Sequence, residues 1–272
     1  AHNAQNRTLL VQLDEAFLRA EADDAVRVVI LAARGRNFSA GHDLGSEAAM
    51  LERAPGPAQH PSFQVNGATR AAVMEKTYLQ EWHYYFQNTC RWRDLRKITI
   101  AQVQGNAISA GLMLIWACDL IVAADDAKFS DVVGVRLGMP GVEYYAHPWE
   151  FGARKAKELL LTGDSLDADE AYRLGMVSKV FARDELEAKT LEFAERIARR
   201  PTMAALLIKD SVNAAADAMG FTEALRHAFH IHELGHAHWA AHNENRFPVG
   251  LPPDVEDWRG AKGSKIARRD EP

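Results

Sequence analysis

Apolar positions change period several times along the chain. Leu9, Leu10, Leu13, Phe17 and Leu18 recur at helical spacing within Thr8–Ala22, which predicts an amphipathic helix. Val26–Ala32 (VRVVILA) is a β-branched run of strand length, and its nearly continuous apolar character predicts a strand covered on both faces. Residues Gly45–Thr77 hold Pro55, Gly56, Pro57, Pro61 and Gly67 and read as loop with one short helical piece. Tyr78–Leu95 reads as a helix rich in Trp and Tyr. Ile98–Val103 follows as strand, Ser109–Ala117 as helix, Asp119–Ala124 as strand, Trp149–Leu161 as helix and Met176–Phe181 as strand. From Asp184 to Pro248 the pattern is almost all helical, and the tail from Gly250 is irregular. Strands alternating with helices, then a helical end, predict an α/β fold with a C-terminal α-helical module. The expected division is residues 1–200 and 201–272.

Composition narrows the class without naming a chemistry. The 272 residues are 47% hydrophobic and 25% charged, as in a globular protein with a large core. The net charge of −5 comes with scattered basic residues, so no nucleic-acid partner is expected. No apolar run approaches the roughly 20 residues of a membrane span, so no membrane partner is expected either. Two cysteines, Cys90 and Cys118, cannot build a disulfide framework, which suits a reducing, cytoplasmic setting. The sequence starts Ala1-His2-Asn3 without an initiator Met, as a segment of a longer chain would.

Candidate chemistry lies at two glycine-bearing junctions. One is Phe38-Ser39-Ala40-Gly41-His42-Asp43-Leu44, shortly after the strand Val26–Ala32. The other, Gly105-Asn106-Ala107-Ile108-Ser109-Ala110-Gly111, directly follows the strand Ile98–Val103. Small residues let the backbone approach a ligand, and the first amides of a helix lack internal partners. One amide from each junction could converge on a carbonyl oxygen as an oxyanion hole. Two ordinary tight turns would show the same local pattern.

Taken with other blocks, these residues resemble the crotonase (enoyl-CoA hydratase/isomerase) superfamily. The first junction resembles its F-S-A-G-x-D-L motif. Asn106 to Gly111 with Ala117-Cys118-Asp119-Leu120, then Met139-Pro140-Gly141, then Leu161-Thr162-Gly163-Asp164 and Ala171–Lys179, resemble later blocks in order and spacing. His2-Asn3-Ala4 resembles the end of the family's N-terminal CoA loop, with the strands that normally precede it absent. The resemblance implies a crotonase-like spiral of ββα turns, whose C-terminal helices pack subunits into trimers or hexamers. It also implies an acyl-CoA thioester as partner, coenzyme A entering as part of the substrate with no separate cofactor. The oxyanion amides would be those of His42 and Ala110. Asn3, Ala4, Ala40, His42, Asp43, Leu44, Gly111, Met113 and Val133 would contact the substrate. The His42 imidazole is expected to make only a loop contact, and Asp43 to act as a turn cap.

The chain departs from that pattern where acid–base chemistry belongs. The two positions that carry glutamate in family hydratases hold Met113 and Val133, and neither can move a proton. Glu143 and Asp131 are the acids near enough to substitute. Glu143 is expected at a helix start, and Asp131 is expected to share a strand face with Val133. Trp82, His83 and Tyr85 read as a packing stripe. The expected function is an acyl-CoA lyase or isomerase, with a non-catalytic acyl-CoA binding protein as the alternative.

A remote third reading comes from His232-Glu233-Leu234-Gly235-His236, which matches the H-E-x-x-H pattern of zinc peptidases. The extended form of that pattern needs Gly where Trp239 stands. These histidines fall among the expected subunit-packing helices, and no resident metal is expected.

Overall fold

A computed structural model of the chain describes residues 2–49 and 70–242. Among these residues, two sheets frame the fold. The larger is all parallel, in the order β1 (Val28–Ala32), β2 (Ile98–Val103), β4 (Leu120–Ala124) and β7 (Lys179–Phe181). Alternate side chains point to opposite faces. Ile100, Val122 and Ala124 meet α9 (Leu186–Ala198), with Val28 and Ile30 packed against the same cluster. Ala101, Val103, Ile121 and Ala123 join the main core, and Val29 and Leu31 pack against it. β1 is therefore covered on both faces as its sequence predicts. Among the described residues it nonetheless pairs only with β2, and this edge position leaves it half-buried.

The second sheet contains β3 (Asn106–Ile108), β5 (Lys128–Ser130) and β6 (Ser165–Asp167), with β3–β5 parallel and β5–β6 antiparallel. These three-residue strands are too short to show a period in sequence. Two bridges extend this sheet: Ser39 pairs with Ala107, and Gln5 pairs with His42. The N-terminal segment and the first glycine junction are thereby stitched edge to edge onto β3.

The helices refine the sequence pattern. α1 (Arg7–Ala22) is capped by Asn6, whose side chain accepts from the Leu9 amide, and it buries Leu10 and Phe17. The single helix expected over Tyr78–Leu95 is three pieces: α2 (Arg70–Gln80), a π-helical turn (Glu81–Gln87) and α3 (Asn88–Arg93). α2 begins inside the expected loop Gly45–Thr77, of which residues 50–69 lie outside the described residues. α4 (Ala110–Trp116) follows β3 and α5 (Val133–Leu137) follows β5. The helix expected over Trp149–Leu161 is broken at Gly152 (φ 75°) into α6 (His147–Phe151) and α7 (Ala153–Thr162). Of Met176–Phe181 only the last three residues pair as strand, after α8 (Ala168–Leu174). α10 (Thr202–Ala218) and α11 (Phe221–His242) complete the helical end, and the expected irregular tail lies outside the described residues. Lys209 ties α10 to the sheet: its Nζ reaches Asp119 Oδ2 and the Lys97 carbonyl, both at 3.1 Å. No helix among the described residues is long and apolar enough to cross a membrane.

Candidate active site

The two glycine junctions meet in space. Gly41 holds φ 84°, and a Cβ there would lie 2.8 Å from the Ile108 carbonyl and 3.3 Å from the Ala110 nitrogen. Only glycine allows both the conformation and the approach. On the other side, a Cβ on Gly111 would lie 2.9 Å from the Ser39 carbonyl. The pairing pattern then aims the amides. Gln5 donates to Gly41 O and accepts from the Asp43 amide, so the intervening His42 N–H points away from Gln5. Ala110 is the first residue of α4, entered from Ser109 at φ 48°, and has no intrahelical acceptor. Neither the His42 nor the Ala110 N–H donates to another described residue. Two unpaired amides on adjoining turns can share one oxyanion.

Beside them lies an acid that sequence placed differently. Glu143 is not at a helix start; it sits in the irregular stretch before α6 and is 3% exposed. Both its carboxylate oxygens lie 3.2 Å from His42 Nε2. The His42 ring also stacks on Tyr85, with centroids 3.8 Å apart. The imidazole is thus fixed by a carboxylate and an aromatic face rather than making the simple loop contact expected of it. With Nε2–H donating to Glu143, Nδ1 keeps its lone pair, and that atom is buried without a hydrogen-bond partner.

Asp131 is built into the scaffold. It does not share a strand face with Val133, because β5 ends at Ser130 and Val133 opens α5. Its carboxylate accepts from His147 Nε2 (2.9 Å) and from the amides of Val142 (2.9 Å) and Val133 (3.0 Å). Burial alone would raise this carboxyl, but the His147 bond and the two amides outweigh it and hold it below the usual range. The stabilisation is complete above the unfolded carboxyl's value and is lost as pH falls through the lower native one. Asp131→Ala should cost about 3–5 kcal/mol in urea unfolding at neutral pH, since it strands a buried partner. A loss below about 1 kcal/mol would contradict this role.

The remaining expected contacts divide between scaffold and pocket. The Asn3 side chain is spent on the Arg34, Asn37 and Phe38 carbonyls, and so holds the first junction's approach. Asp43 accepts from Ser46 Oγ (2.6 Å) and from the Ser46 and Gly45 amides. Burial would raise its carboxyl, yet these bonds lower it, as in an Asx-type cap. Ala4 and Leu44 are half-buried and Ala40 is exposed. Met113 is buried in α4, and Val133 is half-buried. In the aromatic stripe, Trp82 packs on Phe86 and Phe229, whereas Tyr85 belongs to the site.

Next to Glu143 lies a cluster that sequence separates widely. His232 and His236, one turn apart on α11, face Glu81 at the start of the π-helical turn. All three are buried, and they are the group of donors among the described residues close enough to share a cation. Glu143 Oε1 is 3.8 Å from His232 Nε2, which links the cluster to His42. Burial alone would lower the His232 imidazole, but Glu143 and Glu81 outweigh it and push it up to about 9. Burial and the neighbouring Glu81 carboxylate push Glu233 up to about 10. Glu81 itself is held well below the usual range, the histidines overcoming the penalty of burial.

The family model described as enoyl-CoA hydratase/isomerase matches residues 1–73 and 61–238. A Mycobacterium tuberculosis protein named "Putative enoyl-CoA hydratase EchA13" is 62% identical over 271 residues, 99% of this chain and 85% of that protein. An Arthrobacter 4-chlorobenzoyl coenzyme A dehalogenase is 30% identical over 246 residues, 88% of this chain and 80% of that one. The crystal structure of a Mycobacterium smegmatis protein described as a probable enoyl-CoA hydratase superposes with a TM-score of 0.77 at 44% identity, over 88% of each chain.

Proposed function

Because the chain belongs to the enoyl-CoA hydratase/isomerase family of enzymes, we propose that it moves a proton at the α-carbon of an acyl-CoA thioester. The thioester carbonyl sits between the His42 and Ala110 amides, which stabilise the enolate oxygen more than the ground-state carbonyl. The His42–Glu143 pair is the acid–base group. Glu143 holds the Nε2 proton and fixes the tautomer, so Nδ1 is the atom left to act as base and to return the proton as an acid. The observation that carries this reading is the buried, unpartnered Nδ1 on the residue whose own amide is unpaired.

Met113 and Val133 stand where the resemblance places the glutamates of a hydratase. Water addition needs one group to activate water and an acid to protonate carbon. Double-bond migration needs only one group that lifts a proton from one carbon and returns it to another. The site therefore suits isomerisation better than hydration. A panel of 2-enoyl- and 3-enoyl-CoA thioesters, followed by chromatography, tests this: 3-enoyl to 2-enoyl conversion should exceed hydration. Binding without conversion of any member would favour an acyl-CoA binding protein instead. Rapid hydration would show that the missing glutamates have been replaced.

Assembly into trimers or hexamers is what the family resemblance implies, and α10, on which Met203, Leu207, Ile208 and Val212 are exposed, offers a surface for it. Such a surface on a lone chain invites burial against another copy. Light scattering at micromolar concentration should give a trimer or a hexamer; a monomer would contradict the assignment.

A further inference from the structure

From the three atoms that Glu81, His232 and His236 turn toward one another, we infer that the chain carries a buried site for a divalent transition-metal ion of the zinc type. This goes beyond the thioester reading and does not depend on it.

The distances are those of a ligand set. His232 Nε2 is 3.1 Å from His236 Nε2 and 3.4 Å from Glu81 Oε2, and His236 Nε2 is 3.1 Å from the same oxygen. A tetrahedral zinc with bonds of about 2.0–2.1 Å spaces its ligand atoms about 3.3–3.4 Å apart. The triangle matches one face of that tetrahedron with little adjustment. Two imidazoles and a carboxylate are a donor set that zinc and its first-row neighbours favour. All three side chains are more than nine-tenths buried, Glu81 at 4%, His232 at 3% and His236 at 6% exposure.

The surroundings also fit. His232 Nδ1 lies 2.7 Å from the Gly141 carbonyl, a bond that can only be donated by Nδ1–H. Metal-bound histidines are oriented in this way, with the far nitrogen on a carbonyl and the near one facing the ion. Gly235 makes the contact possible: a Cβ there would lie 3.0 Å from Met139 Cγ and 3.2 Å from Met139 Cα. Any larger residue would lift α11 off the Met139–Gly141 turn and with it His232. The third ligand comes from a π-helical turn, a rare distortion that recurs at functional sites. Glu233, the Glu of the H-E-x-x-H motif, is buried on the same helix as the two histidines. The H-E-x-x-H motif thus supplies two ligands as it does in peptidases, but its third ligand lies on the helix that carries Tyr85. Without an ion, the same atoms must be held together by protons shared between nitrogens and the carboxylate. That alternative predicts the same distances and no metal affinity.

The test is metal titration of the full chain, stripped with EDTA and dialysed free of it. Co²⁺ should bind at one equivalent per chain with the visible absorption of a tetrahedral nitrogen–oxygen site, and Zn²⁺ should displace it. His236→Gln and Glu81→Gln should each weaken Zn²⁺ by more than the roughly 10–100-fold that follows loss of an outer-shell partner. His238→Ala, exposed on the same helix, should bind as the parent does. Circular dichroism checks that each variant is folded, and a Zn²⁺-induced rise in Tm present in the parent should vanish in His236→Gln. Binding that survives His236→Gln, or falls with His238→Ala, would assign the metal to surface histidines and overturn the site. Absence of Co²⁺ binding by the parent would overturn it too, in favour of the proton-shared cluster.

Discussion

His42→Ala should leave acyl-CoA binding nearly intact and lower turnover by about 10²–10⁴-fold, the usual contribution of a general acid–base group. The substitution separates two functions of one residue. The backbone amide remains to bind the oxyanion, while the imidazole and its Nδ1 are gone. Glu143→Gln is the companion change. His42 Nε2 sits 3.2 Å from both Glu143 oxygens, so replacing one by an NH₂ presents a donor to a nitrogen that is already a donor. The remaining oxygen can still accept the Nε2 proton, but the negative charge beside the ring is gone, and kcat should fall while KM changes little. A His42→Ala enzyme with undiminished kcat would return the imidazole to a structural role.

Ala110→Pro should lower turnover by about 10²–10³-fold, which is what one lost oxyanion donor costs. The position suits the experiment. Ala110 is the first residue of α4, where proline is tolerated because the missing N–H had no helical acceptor. The neighbouring turn is unforgiving, since Ser109 already holds φ 48°, so circular dichroism must accompany the assay. A folded Ala110→Pro variant with parental kcat would remove Ala110 from the oxyanion hole. His42→Ala and Ala110→Pro should differ in kind: the first lacks the proton carrier, the second the charge stabiliser.

Much of this molecule was legible in its sequence, for physical reasons that also explain what was not. Glycine junctions are local: Gly41 and Gly111 announce close backbone approach without knowledge of the partner strand. The strands of the larger sheet are readable because β1 and β4 lie in nearly continuous apolar runs. The three-residue strands β3, β5 and β6 are not, since they carry too few residues to show alternation. Asp131 falls off the strand face that its sequence position suggests, because β5 stops at Ser130; its carboxylate instead ties the end of β5 to His147, 16 residues on. Sequence position suggests a helix-start acid for Glu143, and only the fold brings it to His42 across 101 residues. The H-E-x-x-H pattern was visible at once, but its partner Glu81 lies 155 residues from His236, so no spacing rule could join them. The π-helical turn that presents Glu81 leaves no mark in an apolar pattern, because it shifts the phase of a helix by a single residue.

In the proposed mechanism the thioester enolate forms between the His42 and Ala110 amides while His42, held by Glu143, moves the proton. Its most direct measurement is exchange at the α-carbon. A saturated acyl-CoA incubated with the enzyme in D₂O should gain deuterium at C2, read by mass spectrometry, and the gain should fall together in His42→Ala, Glu143→Gln and Ala110→Pro. An enzyme that binds the thioester in the same buffer and incorporates no deuterium above the uncatalysed rate would contradict it.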